Sequence, residues 1–175
     1  MIRPLAAAAL LAVSLAGPAI AAPITLTFSV SGFDPSNGNA APADPVTGTI
    51  VWEAASATAP IDAFTSIDLA IAGHRYTLSE IGVYGGPASS YTIGGKVDDV
   101  TAVVIFRHDF LLAFNPASGT PDRFFYASAN VSGIWTAQTF DRFSITEGHA
   151  VPEPGTLALI GLALLGTAGR RRRIA

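Results

Sequence analysis

Ile24-Thr25-Leu26-Thr27-Phe28-Ser29-Val30-Ser31 is the stretch that decides the fold class. Apolar and polar residues alternate along it without a break. Successive strand side chains point to opposite faces, so Ile24, Leu26, Phe28 and Val30 share one face and the hydroxyl residues share the other. That pattern is a half-buried strand with a polar outer side.

Working outward, Asp34–Pro45 is rich in Pro, Asn, Ala and Gly and reads as a loop. Val46–Glu53 is a second strand, with Gly48, Ile50 and Trp52 on one face, and Ala54–Pro60 is a small-residue connection. Ser66–Ala72 sets Ile67, Leu69 and Ile71 against Asp68 and Ala70, and Gly73-His74 suits the centre of a type II′ turn. Arg75–Leu78 returns from that turn, and Glu80–Tyr84 continues or bends the strand before Gly85-Gly86-Pro87 ends it. Ser90–Ile93 and Lys96–Val97 flank a predicted tight turn at Gly94-Gly95. Val100–Arg107 is nearly continuously apolar from Val103 to Phe106, which predicts a strand buried on both faces. Phe110–Phe114 pairs back across His108-Asp109, and Phe124–Ser128, Gly133–Trp135 and Phe140–Thr146 complete the set.

No segment of the body has an amphipathic helical period. Eight or more short strands separated by Gly/Pro turns predict an all-β fold: a single antiparallel β-sandwich, with a jelly-roll among the orders it allows. Strand order and pairing are not readable from the pattern.

The body, Ala22–Ala150, holds Arg75, Lys96, Arg107, Arg123 and Arg142 against twelve acidic residues, a net charge of −7. Nucleic-acid binding needs a basic footprint, so no nucleic-acid partner is expected. The same charge opposes an electrostatic grip on anionic polysaccharide or lipid. About 129 residues are enough to bury one core. The chain has no cysteine, which excludes disulfides, thiol catalysis and Cys-based zinc sites.

Candidate chemistry in the body is sparse. His74 falls in a predicted turn and His149 in the linker before the Pro-rich C-terminal motif. His108-Asp109 is the most enzyme-like pair, but strand neighbours point to opposite faces. No Gly-x-Ser-x-Gly elbow or His-Glu-x-x-His motif occurs. No catalytic residue is assigned, and a hydrolase would require His108 to converge with a carboxylate and a serine. Asp98-Asp99 could contribute to a calcium site, which needs about six to eight oxygens. Asp34, Asn37 and Asn39 have loop character of the same kind but miss the EF-hand spacing. No cofactor is expected beyond such a structural calcium, and no metal ligand is assigned. Phe28, Trp52, Phe64, Tyr76, Phe106, Phe124, Phe125, Trp135, Phe140 and Phe143 are expected in the core. Tyr84, Tyr91 and Tyr126 are the candidates for a sugar-stacking face.

The two ends read as addresses. Arg3, the apolar run Leu5–Leu15 and the small-x-small pattern Ala19-Ile20-Ala21 form a signal helix with cleavage after Ala21. Residues 1–21 are therefore a signal peptide and 22–148 the sandwich. Residues 149–155 form a linker with a Pro-rich motif, and 156–175 a hydrophobic helix with a basic tail. In the linker, Pro152 and Pro154 flank Glu153 and hold the backbone extended, a shape that suits a protease cleft. Leu157, Ala158, Leu159, Ile160, Gly161, Leu162, Ala163, Leu164 and Leu165 then make a helix apolar on every face. Gly155–Gly169 would span about 22 Å, short for a bilayer. Arg170, Arg171, Arg172 and Arg173 decide between a buried core helix and a membrane span: they obey the positive-inside rule, and their stems can reach the headgroups.

Pro152-Glu153-Pro154, the apolar run and the Arg cluster together resemble the three-part PEP-CTERM sorting domain of Gram-negative bacteria. The resemblance implies recognition by exosortase, a membrane-embedded cysteine transpeptidase-like protease that would act near the Pro-Glu-Pro motif and remove the helix. The N-terminal signal helix independently predicts a route through Sec-type export machinery and signal peptidase, and the two ends together predict a transient single-pass stage in the inner membrane and a periplasmic, cell-surface or extracellular destination. Such systems are associated with exopolysaccharide-producing bacteria. Thr47–Trp52 and Ile67–Leu78 are also similar to segments of uncharacterised β-rich PEP-CTERM proteins. The expectation is thus an exported, non-enzymatic surface or matrix protein, with a carbohydrate-binding module for exopolysaccharide as the alternative and a hydrolase as a remote one.

Overall fold

The alternation of Ile24–Ser31 lies in strand β1 (Ala22–Ser31), and Ile24, Leu26, Phe28 and Val30 are all buried. The computed structural model describes residues 22–97 and 99–148. The strands that follow are β2 (Val46–Ala54), β3 (Ala63–Ile71), β4 (His74–Arg75), β5 (Ile81–Gly85), β6 (Tyr91–Gly95), β7 (Asp109–Asn115), β8 (Thr120–Ala127), β9 (Ile134–Thr136) and β10 (Thr139–Glu147). They form two antiparallel five-stranded sheets, ordered β10-β1-β2-β3-β4 and β5-β6-β7-β8-β9. The expected antiparallel sandwich is what the chain builds. Its order is a pair of meanders, however, and not that of a jelly-roll. Neighbours in each sheet are neighbours in sequence, except that β10 returns to pair with β1.

Aromatic rings fill the space between the sheets. Phe28 of β1 meets Phe124 of β8 at 5.6 Å between ring centroids, and Trp52 of β2 meets Phe114 of β7 at 6.4 Å. Phe143 of β10 also reaches Phe114, at 5.7 Å. Each fully buried side chain of this size contributes about 1.5–3 kcal/mol, so the inter-sheet layer is the main stabilising element of a domain without disulfides.

Four local expectations are corrected. The β3–β4 turn is centred on Ala72-Gly73, one residue earlier than Gly73-His74. Ile71 pairs with His74, and both central residues have positive φ, 51° and 85°, as a type I′ turn demands. Glu80–Tyr84 does not continue the return strand. Thr77-Leu78-Ser79-Glu80 closes a 3-10 turn in which the Glu80 carboxylate accepts the Thr77 N–H at 2.8 Å. The chain then crosses to the second sheet as β5.

Gly94 and Gly95 lie inside β6 and make no turn. Val100–Arg107 forms no strand; residues 96–108 form a loop, with residue 98 outside the description. Local hydrogen bonds take the backbone groups that a ladder would have used. Asp99 accepts the Thr101 N–H and hydroxyl, at 3.3 and 2.9 Å, and Asp109 Oδ2 accepts the Val104 N–H at 2.9 Å. The strand buried along almost its whole length is β7 instead.

Candidate functional site

The loop 96–108 rests on the outer face of the second sheet because two glycines make room for it. A Cβ on Gly82 would lie 2.8 Å from the Val100 side chain, and one on Gly94 would lie 2.9 Å from the Val100 carbonyl oxygen. Gly82 pairs with Gly94, so the two form one bare patch across β5 and β6.

Beside this seat, the register lays out a groove of about 480 Å³. Tyr84 pairs with Thr92, Thr92 with Ala113 and Ala113 with Arg123, so one row of outward side chains crosses four strands. The adjacent row runs from Gly94 through Leu111 and Phe125 to Thr136. Thr101 and Val103 from the loop, Ser89 and Ser90 from the β5–β6 turn, and Ile134 of β9 complete the lining. Tyr84 is 64% exposed. The Arg123 guanidinium lies over the Phe125 ring at 6.0 Å, and its Nε is 3.4 Å from the Asp122 carboxylate. Among the described residues, the lining contains no carboxylate and no histidine.

The other expected sugar-stacking tyrosines are corrected to core positions. Tyr91 is 2% exposed and donates its hydroxyl to the Ala59 carbonyl at 2.7 Å. The Tyr126 hydroxyl donates to the Ala43 carbonyl at 2.8 Å and accepts the Ala43 N–H at 3.0 Å, and burial pushes it up to about 12. Strand alternation sends Phe124 and Tyr126 inward and Phe125 outward. Phe106, expected in the core, is 56% exposed in the loop, with a left-handed φ of 61°.

A second cluster brings His74 and His108 together. His108 stacks on His74, with ring centroids 4.5 Å apart and planes 7° from parallel. His74 Nε2 is 3.0 Å from Glu80 Oε1, and Tyr76 meets the His74 ring edge-on at 4.7 Å. Burial, and then the charge of His74, hold His108 below the ordinary imidazole range, while Glu80 pulls the other way. Asp109 is fully buried; its Oδ1 accepts the Phe110 N–H and its Oδ2 accepts the Val104 N–H. The histidine–carboxylate pair that the fold brings together is thus His74–Glu80, which braces the 3-10 turn. His108 and Asp109 serve different neighbours.

The described candidate calcium residues make hydrogen bonds. Asp99 caps its own turn, Asp34 accepts the Gln138 amide at 2.7 Å, and Asn39 donates to the Ser132 carbonyl at 3.0 Å. Asn37 lies 3.5 Å from the Ser132 hydroxyl, and Asp98 is outside the described residues.

Also outside the description are the signal-cleavage residues Ala19 and Ala21, His149, the sorting motif Pro152, Glu153 and Pro154, the apolar run Leu157–Leu165, and Arg170–Arg173. Among the described residues, no helix is long and apolar enough to cross a membrane.

Sequence reasoning found Tyr84 but missed Phe125 and Arg123 as groove residues. Strand periodicity sets Arg123 and Phe125 on one face and Phe124 and Tyr126 on the other, but three consecutive aromatics hide which face is inner, and Phe125 was expected in the core. The Thr77-x-x-Glu80 spacing, a capping-box pattern, was the missed mark of the 3-10 turn.

Fold and tail together define an all-β sandwich followed by a C-terminal address. Residues 150–173 match the family model of the PEP-CTERM protein-sorting motif, so the chain carries that motif, which implies an exported protein processed by exosortase. No curated protein matches the chain.

Proposed function

We propose that the mature product is the β-sandwich itself: a non-enzymatic protein of the cell surface or extracellular matrix, reached through a transient single-pass stage in the inner membrane. One observation carries this reading. The last strand ends at Glu147 and already pairs with the first, Ile24 opposite Glu147, before the matched motif begins at residue 150. Every described strand lies between residues 22 and 147, so removing residues 1–21 and the segment beyond Pro154 takes away none of them. The product keeps both sheets.

The roles of the histidines and of Asp109 support a non-enzymatic body. His108 stacks on His74, His74 braces Glu80, and Asp109 holds two backbone N–H groups. Each polar group serves the architecture around the 3-10 turn and the loop 96–108.

The test is fractionation of cells with and without exosortase, following the body with an antibody. The protein is expected in the surface or extracellular fraction when exosortase is present and in the inner membrane when it is absent. An identical distribution in both strains would contradict the reading.

A further inference from the structure

We infer that the groove on the outer face of the second sheet is a binding site for a segment of neutral polysaccharide. This goes beyond the surface-protein reading and does not depend on the tail. Tyr84 and Phe125 stand on β5 and β8, three strand spacings apart, which is about 14 Å. That separation accommodates more than one sugar ring. Tyr84, 64% exposed, and the half-buried Phe125 offer apolar aromatic surface to the C–H side of a sugar ring, the hydroxyls of Thr92 and Thr136 offer donors and acceptors to its hydroxyls, and the Thr101 hydroxyl, which donates to Asp99, can still accept. The volume, about 480 Å³, is that of a small-ligand site.

Charge chooses among the occupants. Arg123 is the cation of the groove, and Asp122 pairs with it at 3.4 Å, so the pair is close to neutral. Among the described residues, the lining offers no carboxylate to a cationic ligand. The surrounding body, at −7, repels a polyanion. A neutral, hydroxyl-rich chain satisfies all three conditions. The loop, whose Val100 is seated on Gly82 and Gly94, contributes Thr101 and Val103 as one wall of the groove.

The test is affinity electrophoresis of the protein, purified from whichever cell fraction holds it, in native gels cast with dextran, laminarin, galactomannan or alginate. Retardation is expected in at least one of the three neutral gels. Tyr84→Ala and Phe125→Ala should each weaken it about tenfold, the loss of a central contact, and Tyr84→Phe should keep it because the stacking face remains. Tyr84 is largely exposed, so its variants test the groove without disturbing the core. Free migration in all three neutral gels, retardation by alginate alone, or undiminished retardation of Tyr84→Ala would overturn the inference. A failure of export would show in the fractionation and leave this readout unaffected.

Discussion

The Tyr76 hydroxyl is buried against Phe110, with ring centroids 4.8 Å apart, and makes no hydrogen bond to a described residue. Burial, and then the nearby charges of Asp109 and Glu80, raise its pKa well above the phenol range. A buried polar atom without a partner costs roughly 1–3 kcal/mol, so Tyr76→Phe should stabilise the protein by about 1 kcal/mol. Urea unfolding measures this directly, and a loss of stability would mean that the hydroxyl is paired in solution. At the next ring, the stack of His108 on His74 gives stability a pH dependence. The folded pKa of His108 lies below its ordinary value of 6.5, so the unfolded chain binds the proton more readily. That contribution is fully present above pH 6.5 and is lost as the pH falls through the lower folded value. Glu80, held below its ordinary 4.5 chiefly by the Thr77 hydroxyl, adds a second loss at more acidic pH. The melting temperature should therefore drop on acidification from pH 7.5 to 5.5. His108→Phe, which keeps a flat ring on His74 and cannot titrate, should flatten that drop. An unchanged slope would place the dependence elsewhere.

Among the elements, the loop 96–108 departs furthest from what its residues suggest. Val103-Val104-Ile105-Phe106 has the composition of a buried strand, yet Ile105 and Phe106 face solvent. The deciding interactions are not written in the run itself. They come from Asp99 behind it and Asp109 ahead of it, and from a glycine pair on two other strands. A Cβ at Gly94 would press on the Phe110 carbonyl oxygen at 2.7 Å and on the Val100 carbonyl oxygen at 2.9 Å, both of them backbone atoms. Gly94→Ala should therefore cost about 2 kcal/mol, in the range of overpacked core substitutions, and should speed amide exchange in residues 99–106. Protection unchanged from wild type would mean that the loop does not rest on this face. Strands β1, β2 and β3, by contrast, were legible because one face is buried and the other solvated, so the alternation is clean. In β7 both faces are covered, by the opposing sheet on one side and the groove rim and loop on the other. There the alternation disappears into an apolar run, and only the structure separates inner from outer residues.

At the scale of the whole molecule, the two ends of the body lie side by side in the first sheet. β10 pairs with β1 over Ile24–Ser31 and Thr139–Glu147. The sequence pattern showed the sandwich but not this pairing, because strand order depends on which apolar faces meet after the chain has turned several times. The groove was equally hidden, since its rows draw on β5, β6, β7, β8 and β9, and no local stretch contains them. The address at the C-terminus was legible because its three parts are contiguous and act in sequence order. The central claim is that processing releases an intact sandwich, and intact-mass analysis of the mature protein from cells with and without exosortase tests it most directly. The expected product with exosortase begins at Ala22 and ends near Pro152-Glu153-Pro154, while without exosortase it retains the tail. Leu157–Arg173 still attached in both strains would contradict the account.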